Sequence, residues 1–465
     1  MDRVSNRFLL ERFETAPTNS LVLAQRGGAP KNKLPAILFC MLVKSYFRGK
    51  IEGMDKILLG LIREEKVPRD SRVALTPAQC REILDQGIFD IVVQSCAHRC
   101  YRDEEYKDMG VPVLEDLGDC SVLIGIKEVP VEFILQDKVY FIFSHTIKKQ
   151  SHNRKLLQRM LEYHNHLIDY EVVVDDKGER LIAFGHFAGM VGAHNAIWTF
   201  GQRTGQYAMR RMYEARDYAE MKAEYSKLKL PKMKVILTGD GRVSTGAVGV
   251  LEDMGLRRVS PDEFLKEEFD DAVFTQLTPM EYVKKLDGTE FKLEDYYNHP
   301  EAFRMECGPY LEAGDIFING IYWDTRYPPF FEIKDMDKAS FLVKVIADIT
   351  CDIGPDASIP STIKASTIAD PIFGFDPKTV SETEPFAEGA ITMMTIDNLP
   401  NELPRDASEA FGQKFMQYLL PEIPKRGNSP ILQRATIAKN GQLGPRFGYL
   451  ADFVEQEHHA LSLDK

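Results

Sequence analysis

Lys127 and His145 each close a short apolar run, VLIGIK at 122–127 and VYFIFSH at 139–145, and both side-chain types move protons near neutral pH. If the two runs are parallel strands of one α/β sheet, their carboxyl ends face a common crevice, where open sheets of this kind bind ligands. A lysine and a histidine over one substrate could then act as acid and base in turn. Neither residue compels that reading alone: Lys127 precedes Glu128 and could equally sit in a structural ion pair, and a strand-end histidine is often a satisfied core residue. Arg72, in SRVALTP, stands just ahead of a helix start, where its fork could hold a carboxylate or simply face solvent. Asp348, in VKVIADITCD, ends a further strand and could orient a nicotinamide or a substrate amine, or cap the next turn.

The run KVILTGDGRVSTGAVGVLEDMG at 234–255 reads as a buried strand, a glycine turn and a helix from about Ser244. Gly239 and Gly241 let the chain turn tightly and let a pyrophosphate approach backbone N–H groups at the helix N-terminus, which Arg242, Val243 and Ser244 would open. The third glycine of G-x-G-x-x-G is replaced by Ser244, small enough for close packing, and a glycine arrives only at Gly246. The second strand of such a unit should end near Val259, where an acid would hold the ribose of NAD. Ser260 stands there, with Arg257 and Arg258 before it and Asp262 and Glu263 after it, so NAD and NADP both stay open. Together these residues suggest hydride transfer to or from a carbon bearing nitrogen.

Regular elements must carry these side chains. From Met54 onward strand-like and helical stretches alternate: strands at 57–62, 91–93, 122–127 and 139–145, a helix opened by Thr76 and Pro77, an amphipathic stretch at 150–166, and strands at 167–174 and 180–184. Residues 188–230 lack proline and read as long helices crossing to a second unit, with strands at 234–238, 315–321, 342–349 and 391–396. The fold expected is α/β, two Rossmann-like doubly wound domains with a cleft between them. Residues 54–200 form the substrate and catalytic domain, and 201–397 the dinucleotide-binding one. Residues 1–53, where Arg and Lys outnumber Asp and Glu, read as a leader outside the domains.

Composition narrows the partners. With 465 residues, 44% hydrophobic and 28% charged, the chain has the make-up of a globular protein with ample core. A net charge of -12 disfavours a nucleic-acid partner. No apolar run reaches the ~18 to 20 residues of a membrane helix; the longest, 34–43, is too short. Seven cysteines without framework spacing point to a reducing compartment, read as the cytoplasm. Cys96, His98 and Cys100 lack a second ligand pair, so no metal is expected.

Nine ordered motifs carry a resemblance: RVALTP at 72–77, GIKE at 125–128, FSHTIK at 143–148, LIDYE at 167–171, AFGHFAG at 183–189, TGDGRVSTGA at 238–247, FINGIYW at 317–323, ADITCDIG at 347–354 and IDNLPNELPRDASEAFG at 396–412. From about Met54 to about Phe453 the chain resembles the lysine-forming saccharopine dehydrogenases and the lysine–2-oxoglutarate reductase half of the bifunctional lysine-degrading enzyme, in the superfamily of alanine dehydrogenase and proton-pumping transhydrogenase. The resemblance implies that residues 398–465 complete the first domain and that NAD or NADP is the cofactor. It implies that Lys127 and His145 are catalytic, that Arg72 and Arg180 contact substrate carboxylates, and that Glu128 and Glu171 modulate the pair. The reaction it implies joins L-lysine and 2-oxoglutarate to saccharopine, reversibly. Glu179 stands where the family often has a second arginine beside Arg180. An alanine-type or opine-type dehydrogenase, and a nucleotide-binding subunit without chemistry, are the competing readings.

Overall fold

The computed structural model describes residues 56–354, 357–425 and 427–455. The leader expected at 1–53 lies outside the described residues. Eighteen strands are described: β1 Ile57–Leu61, β2 Phe89–Gln94, β3 Val113–Leu114, β4 Val122–Ile124, β5 Val139–Ile142, β6 His166–Asp169, β7 Met233–Thr238, β8 Arg257–Arg258, β9 Ala272–Leu277, β10 Val283–Lys285, β11 Phe303–Met305, β12 Ile316–Asn319, β13 Val345–Asp348, β14 Ile372–Asp376, β15 Ser381–Thr383, β16 Ile391–Met394, β17 Thr436–Lys439 and β18 Gln442–Leu443. They form one sheet in the order 18-17-6-5-4-1-2-3, a second in the order 15-14-16-13-12-7-9-8, and a small ribbon of β10 and β11. The architecture is α/β with two Rossmann-like sheets, each parallel except near one edge, where one reversed strand, β17 or β14, pairs antiparallel with both neighbours.

Both sheets are buried on both faces, which is why their strands read as unbroken apolar runs rather than alternating ones. In β4, Val122 and Ile124 face a core shared with the helices Pro77–Gln86 and Pro404–Tyr418, while Leu123 faces a second core shared with the helix Arg154–Glu162. In β12, Ile316 and Ile318 face one core and Phe317 the other. The Pro77–Gln86 helix begins as expected: Thr76 accepts from the amide of Gln79, whose side chain returns a bond to Thr76.

Several elements differ from expectation, and each difference bears on the site. β4 and β5 stop at Ile124 and Ile142, so Lys127 and His145 stand in turns beyond the strands. Residues 180–184 form no strand; only Arg180 bridges back to Val174. The crossing region is one helix, Gly185–Thr204, followed by irregular chain and the short helix Tyr218–Tyr225.

The Gly185–Thr204 helix lies against the nucleotide-turn helix Arg242–Asp253 at glycines. A Cβ on Gly189 would stand 1.7 Å from the carbonyl oxygen of Val243, and one on Gly246 2.0 Å from that of His186. Gly246 thus supplies the close approach that the sequence reading gave to Ser244. The antiparallel strand β17, 267 residues beyond β6, extends the first sheet at its edge.

Candidate functional site

The carboxyl ends of β1, β4, β5 and β6 are neighbours in the first sheet, and the turns beyond them gather most of the expected residues. Beyond β5, His145 adopts a left-handed backbone conformation, with φ at 49°. Its Nδ1 lies 2.6 Å from Oε1 of Glu128, and its ring stacks on Phe143. The other carboxylate oxygen of Glu128 accepts from Nζ of Lys66 at 2.9 Å. Burial alone would raise the Glu128 carboxyl, yet the hydrogen bonds and charges of His145 and Lys66 outweigh it and hold the group at about 2. Glu128 is therefore an anion at any working pH, and the imidazole is fixed through Nδ1 with Nε2 as its remaining nitrogen.

The Lys127 amine takes no hydrogen bond among the described residues. Burial, then the nearby charges of Arg72 and Lys66, push its pKa below that of an ordinary lysine. A lowered pKa makes a lysine a readier proton donor and acceptor. Glu128 and Asp70 oppose the shift.

Arg72 is buried, not a surface arginine. Asp70 accepts from its Nε at 2.9 Å and its Nη2 at 2.6 Å, Asn398 accepts from Nη2 at 3.0 Å, and the guanidinium lies 4.2 Å over the ring of Phe184. The charge and hydrogen bonds of Arg72 overcome burial and hold the Asp70 carboxyl well below its usual range. Phe184 packs on Phe143, and Arg180 lies 5.6 Å over the Phe143 ring. Two arginines, the histidine and their aromatic supports thus pack in one cluster. Glu171 lies 3.7 Å from Lys148, and its Oε2 is buried without a hydrogen-bond partner in the described structure.

The nucleotide turn sits at the end of β7. Gly239 has φ at 94°, and a Cβ there would crowd Ser244 Oγ at 2.8 Å and Gly320 O at 2.9 Å, so only glycine fits. A Cβ on Gly241 would meet nothing within 4 Å, leaving room against the N-terminus of the Arg242–Asp253 helix. A pyrophosphate fits that space and those amides. Arg242 reaches back to donate to the carbonyl of Arg180 at 2.6 Å, tying the turn to the segment that carries Arg180.

Three nucleotide-site expectations need correction. Ser244 is fully buried and its hydroxyl is spent on the carbonyls of Thr238 and Gly320, so it braces the turn from within. Asp348 is also fully buried, accepting from Asn319, Thr350 and Thr362, so it anchors the loop after β13 instead of presenting an acid. The strand beside β7 is β9, not β8, so the strand end next to the glycine turn is that of β9 and not the one before Ser260. There Gln276 donates to the carbonyl of Gly239 at 2.8 Å and accepts from Arg258 at 2.6 Å. Arg257 is paired with Asp271, and Ser260 caps the helix Pro261–Lys266.

Sequence reasoning missed Lys66 and Asp70. Both lie in EEKVPRD, which reads as a solvated charged loop; its place directly after β1, at the carboxyl edge of the sheet, was the available signal. Among the described residues no group of three or more His, Cys, Asp or Glu side chains could hold a metal, and no helix is long and apolar enough to cross a membrane.

Residues 60–191, which hold most of the first sheet and its turns, match the family described as alanine dehydrogenase/PNT, N-terminal domain. Over 442 residues the chain is 30% identical to the alpha-aminoadipic semialdehyde synthase of Arabidopsis thaliana, covering 84% of this chain and 41% of that protein. It is 28% identical over 403 residues to the saccharopine dehydrogenase [NAD(+), L-lysine-forming] of Emericella nidulans, covering 82% of this chain and 96% of the relative. The chain is thus similar to the saccharopine dehydrogenases along nearly their whole length, and it spans about half the length of the semialdehyde synthases it matches. A solved L-alanine dehydrogenase has the same fold, with a TM-score of 0.59 at 15% identity over 85% of this chain and 100% of the other.

Proposed function

We propose that the chain is an NAD(P)-dependent oxidoreductase that joins L-lysine and 2-oxoglutarate to saccharopine, reversibly. The observation that carries this reading is the Lys66–Glu128–His145 chain beside the Lys127 amine, which takes no hydrogen bond among the described residues, in a cluster that also holds Arg72 and Arg180. A substrate with several carboxylates and a reacting amine suits that balance of charge.

Residues 54–200 with 398–465 act as the substrate and catalytic domain and 201–397 as the dinucleotide-binding domain, with the reaction in the cleft between them. Arg72 and Arg180 hold carboxylates. Forming a carbinolamine from the lysine ε-amine and the keto carbon requires a base for the amine and an acid for the oxygen, and dehydration to the imine requires the acid again. Lys127 and His145 serve in turn: a lysine with a lowered pKa gives up its proton readily, and the imidazole exchanges one at Nε2. Glu128 keeps His145 oriented and, with Asp70, opposes the lowering of the Lys127 pKa. When bound against Gly239, Gly241, Arg242 and Val243, the nicotinamide cofactor supplies or accepts the hydride. The six described cysteines are free thiols, which suits the cytoplasm as the compartment.

The test is reduction of NAD or NADP by the purified protein with saccharopine, compared with alanine. Turnover of saccharopine but not alanine supports the reading; alanine turnover alone replaces it with an alanine-type dehydrogenase.

A ribose bound at the end of β9 makes its own prediction. Arg258 is the cation next to Gln276, and Arg257 is occupied by Asp271. Losing a charge-assisted bond of about 1.5 kcal/mol changes affinity roughly tenfold. Arg258→Ala is therefore expected to raise KM for NADPH about tenfold while KM for NADH stays within about twofold, as measured by steady-state kinetics with each cofactor.

A further inference from the structure

Neither Lys127 nor His145 stands on a strand, yet each must be held within a fraction of an ångström to transfer a proton to a defined atom. Turns beyond strand ends are held by what their backbone amides bond to. Beyond β4, the amides of Ile126 and Lys127 donate to the two oxygens of one side chain, Glu64: Ile126 N to Oε1 at 2.6 Å and Lys127 N to Oε2 at 2.9 Å. Glu64 stands three residues past β1, the neighbouring strand, and is 7% exposed. Gly125 lets Ile62 and Glu64 approach the turn, since a Cβ there would stand 2.6 Å from Ile62 Cδ1 and 3.3 Å from Glu64 Oε1.

The same device recurs one strand over. Beyond β5, the amide of Ser144 donates to Oδ2 of Asp169 at 3.0 Å, and the Ser144 hydroxyl donates to the same oxygen. Asp169 ends β6, again a neighbouring strand, and is fully buried. Its Oδ1 accepts the amide of Glu171 at 2.7 Å. In both turns a buried carboxyl from the next strand holds the backbone at or beside the residue that reacts.

We infer that Glu64 and Asp169 are the positioning residues of the site, two buried carboxyl clamps that fix the turns carrying the Lys127 amine and the His145 imidazole. The inference rests on the acid–base roles proposed above for Lys127 and His145. Neither clamp touches substrate; each acts through the backbone it holds. Replacing either carboxyl by its amide puts an NH2 group where an oxygen had accepted an N–H, so one bond is lost and two donors face each other.

Glu64→Gln and Asp169→Asn test this in the full chain with two readouts. The first is amide hydrogen exchange, which needs no substrate: in Glu64→Gln the amides of Ile126 and Lys127 are expected to exchange at least about tenfold faster, and in Asp169→Asn that of Ser144, while exchange in β7 and β12 is unchanged. The second is kinetics in the lysine and 2-oxoglutarate assay, where kcat is expected to fall about 10- to 100-fold, the range a displacement of about 1 Å produces, with KM for the cofactor within about twofold. A third variant, Glu64→Asp, keeps the carboxyl but withdraws both acceptors by one methylene, and serves if Glu64→Gln does not fold. Its kcat is expected to fall as well. Unchanged exchange in the clamped turns overturns the inference, as does wild-type kcat in Glu64→Asp or a fall in kcat that only follows the folded fraction. If wild-type protein does not turn over the substrates, the proposed reaction fails, and the exchange measurement still decides the clamps.

Discussion

Lys127→Met is expected to lower kcat about 10²- to 10⁴-fold, the range that one positioned acid or base contributes, while thermal stability is unchanged or rises. The two directions follow from one observation. The amine is largely buried and takes no hydrogen bond among the described residues, and burial together with Arg72 and Lys66 depresses its pKa. A buried cation without a partner costs the fold free energy, and methionine of similar length removes that cost. Lower activity with undiminished stability marks a group kept for chemistry; lower stability with little change in kcat would make Lys127 structural. Steady-state kinetics beside a thermal melt separates the two. His145→Gln is expected to share the loss of kcat, because glutamine cannot exchange a proton at the Nε2 position.

Asp70→Ala is expected to have the largest effect on stability, about 3–5 kcal/mol, the penalty for breaking a buried pair by removing one partner. The side chains of Asp70 and Arg72 are 1% and 2% exposed, and Asp70 supplies both oxygens to the guanidinium. Asn398 cannot replace them, since its Oδ1 already accepts from Nη2 and its Nδ2 donates to Asp70. Denaturant unfolding of variant and wild type measures the loss. Acid should show the same interaction. The folded Asp70 carboxyl lies below its unfolded value of about 3.9, so its contribution is complete above that pH and is lost as pH falls toward the folded value. Glu128 acts in the same direction down to about 2. The wild-type unfolding midpoint is therefore expected to drop below about pH 4, and Asp70→Ala to be flatter there. An equally steep variant would mean that other carboxyls dominate acid unfolding.

Much of this fold was legible because parallel strands buried on both faces need unbroken apolar runs, and β1, β7 and β16 each show one. The Thr76 cap and the glycine turn were legible because each depends on a few adjacent residues. Pairings between distant segments were not. Nothing local in TIAK at 436–439 says that it completes the first sheet beside β6, and nothing in ARG-rich 257–258 says that β9 intervenes between it and β7. The strand end next to the glycine turn was misplaced for that second reason.

At the site, Lys127, His145 and Arg72 were named from their own places in the sequence and Arg180 and Glu128 through the resemblance, and the structure gathers them. Their further partners were not named. Lys66, Asp70 and Glu64 lie in one charged stretch after β1, where charge alone suggests solvent, and only the neighbouring turns show which of those charges are buried. Ser244 and Asp348 erred in the opposite direction: polar residues at a crevice look available until their own hydrogen bonds are known.

The most direct measurement of the central proposal is the product formed when the purified protein is incubated with L-lysine, 2-oxoglutarate and reduced NAD or NADP, followed by mass spectrometry beside cofactor oxidation. Saccharopine should appear in step with cofactor consumed, only when both substrates are present, and should disappear in Lys127→Met. Cofactor oxidation supported by ammonium and pyruvate instead, or no oxidation with either pair, would contradict the proposal.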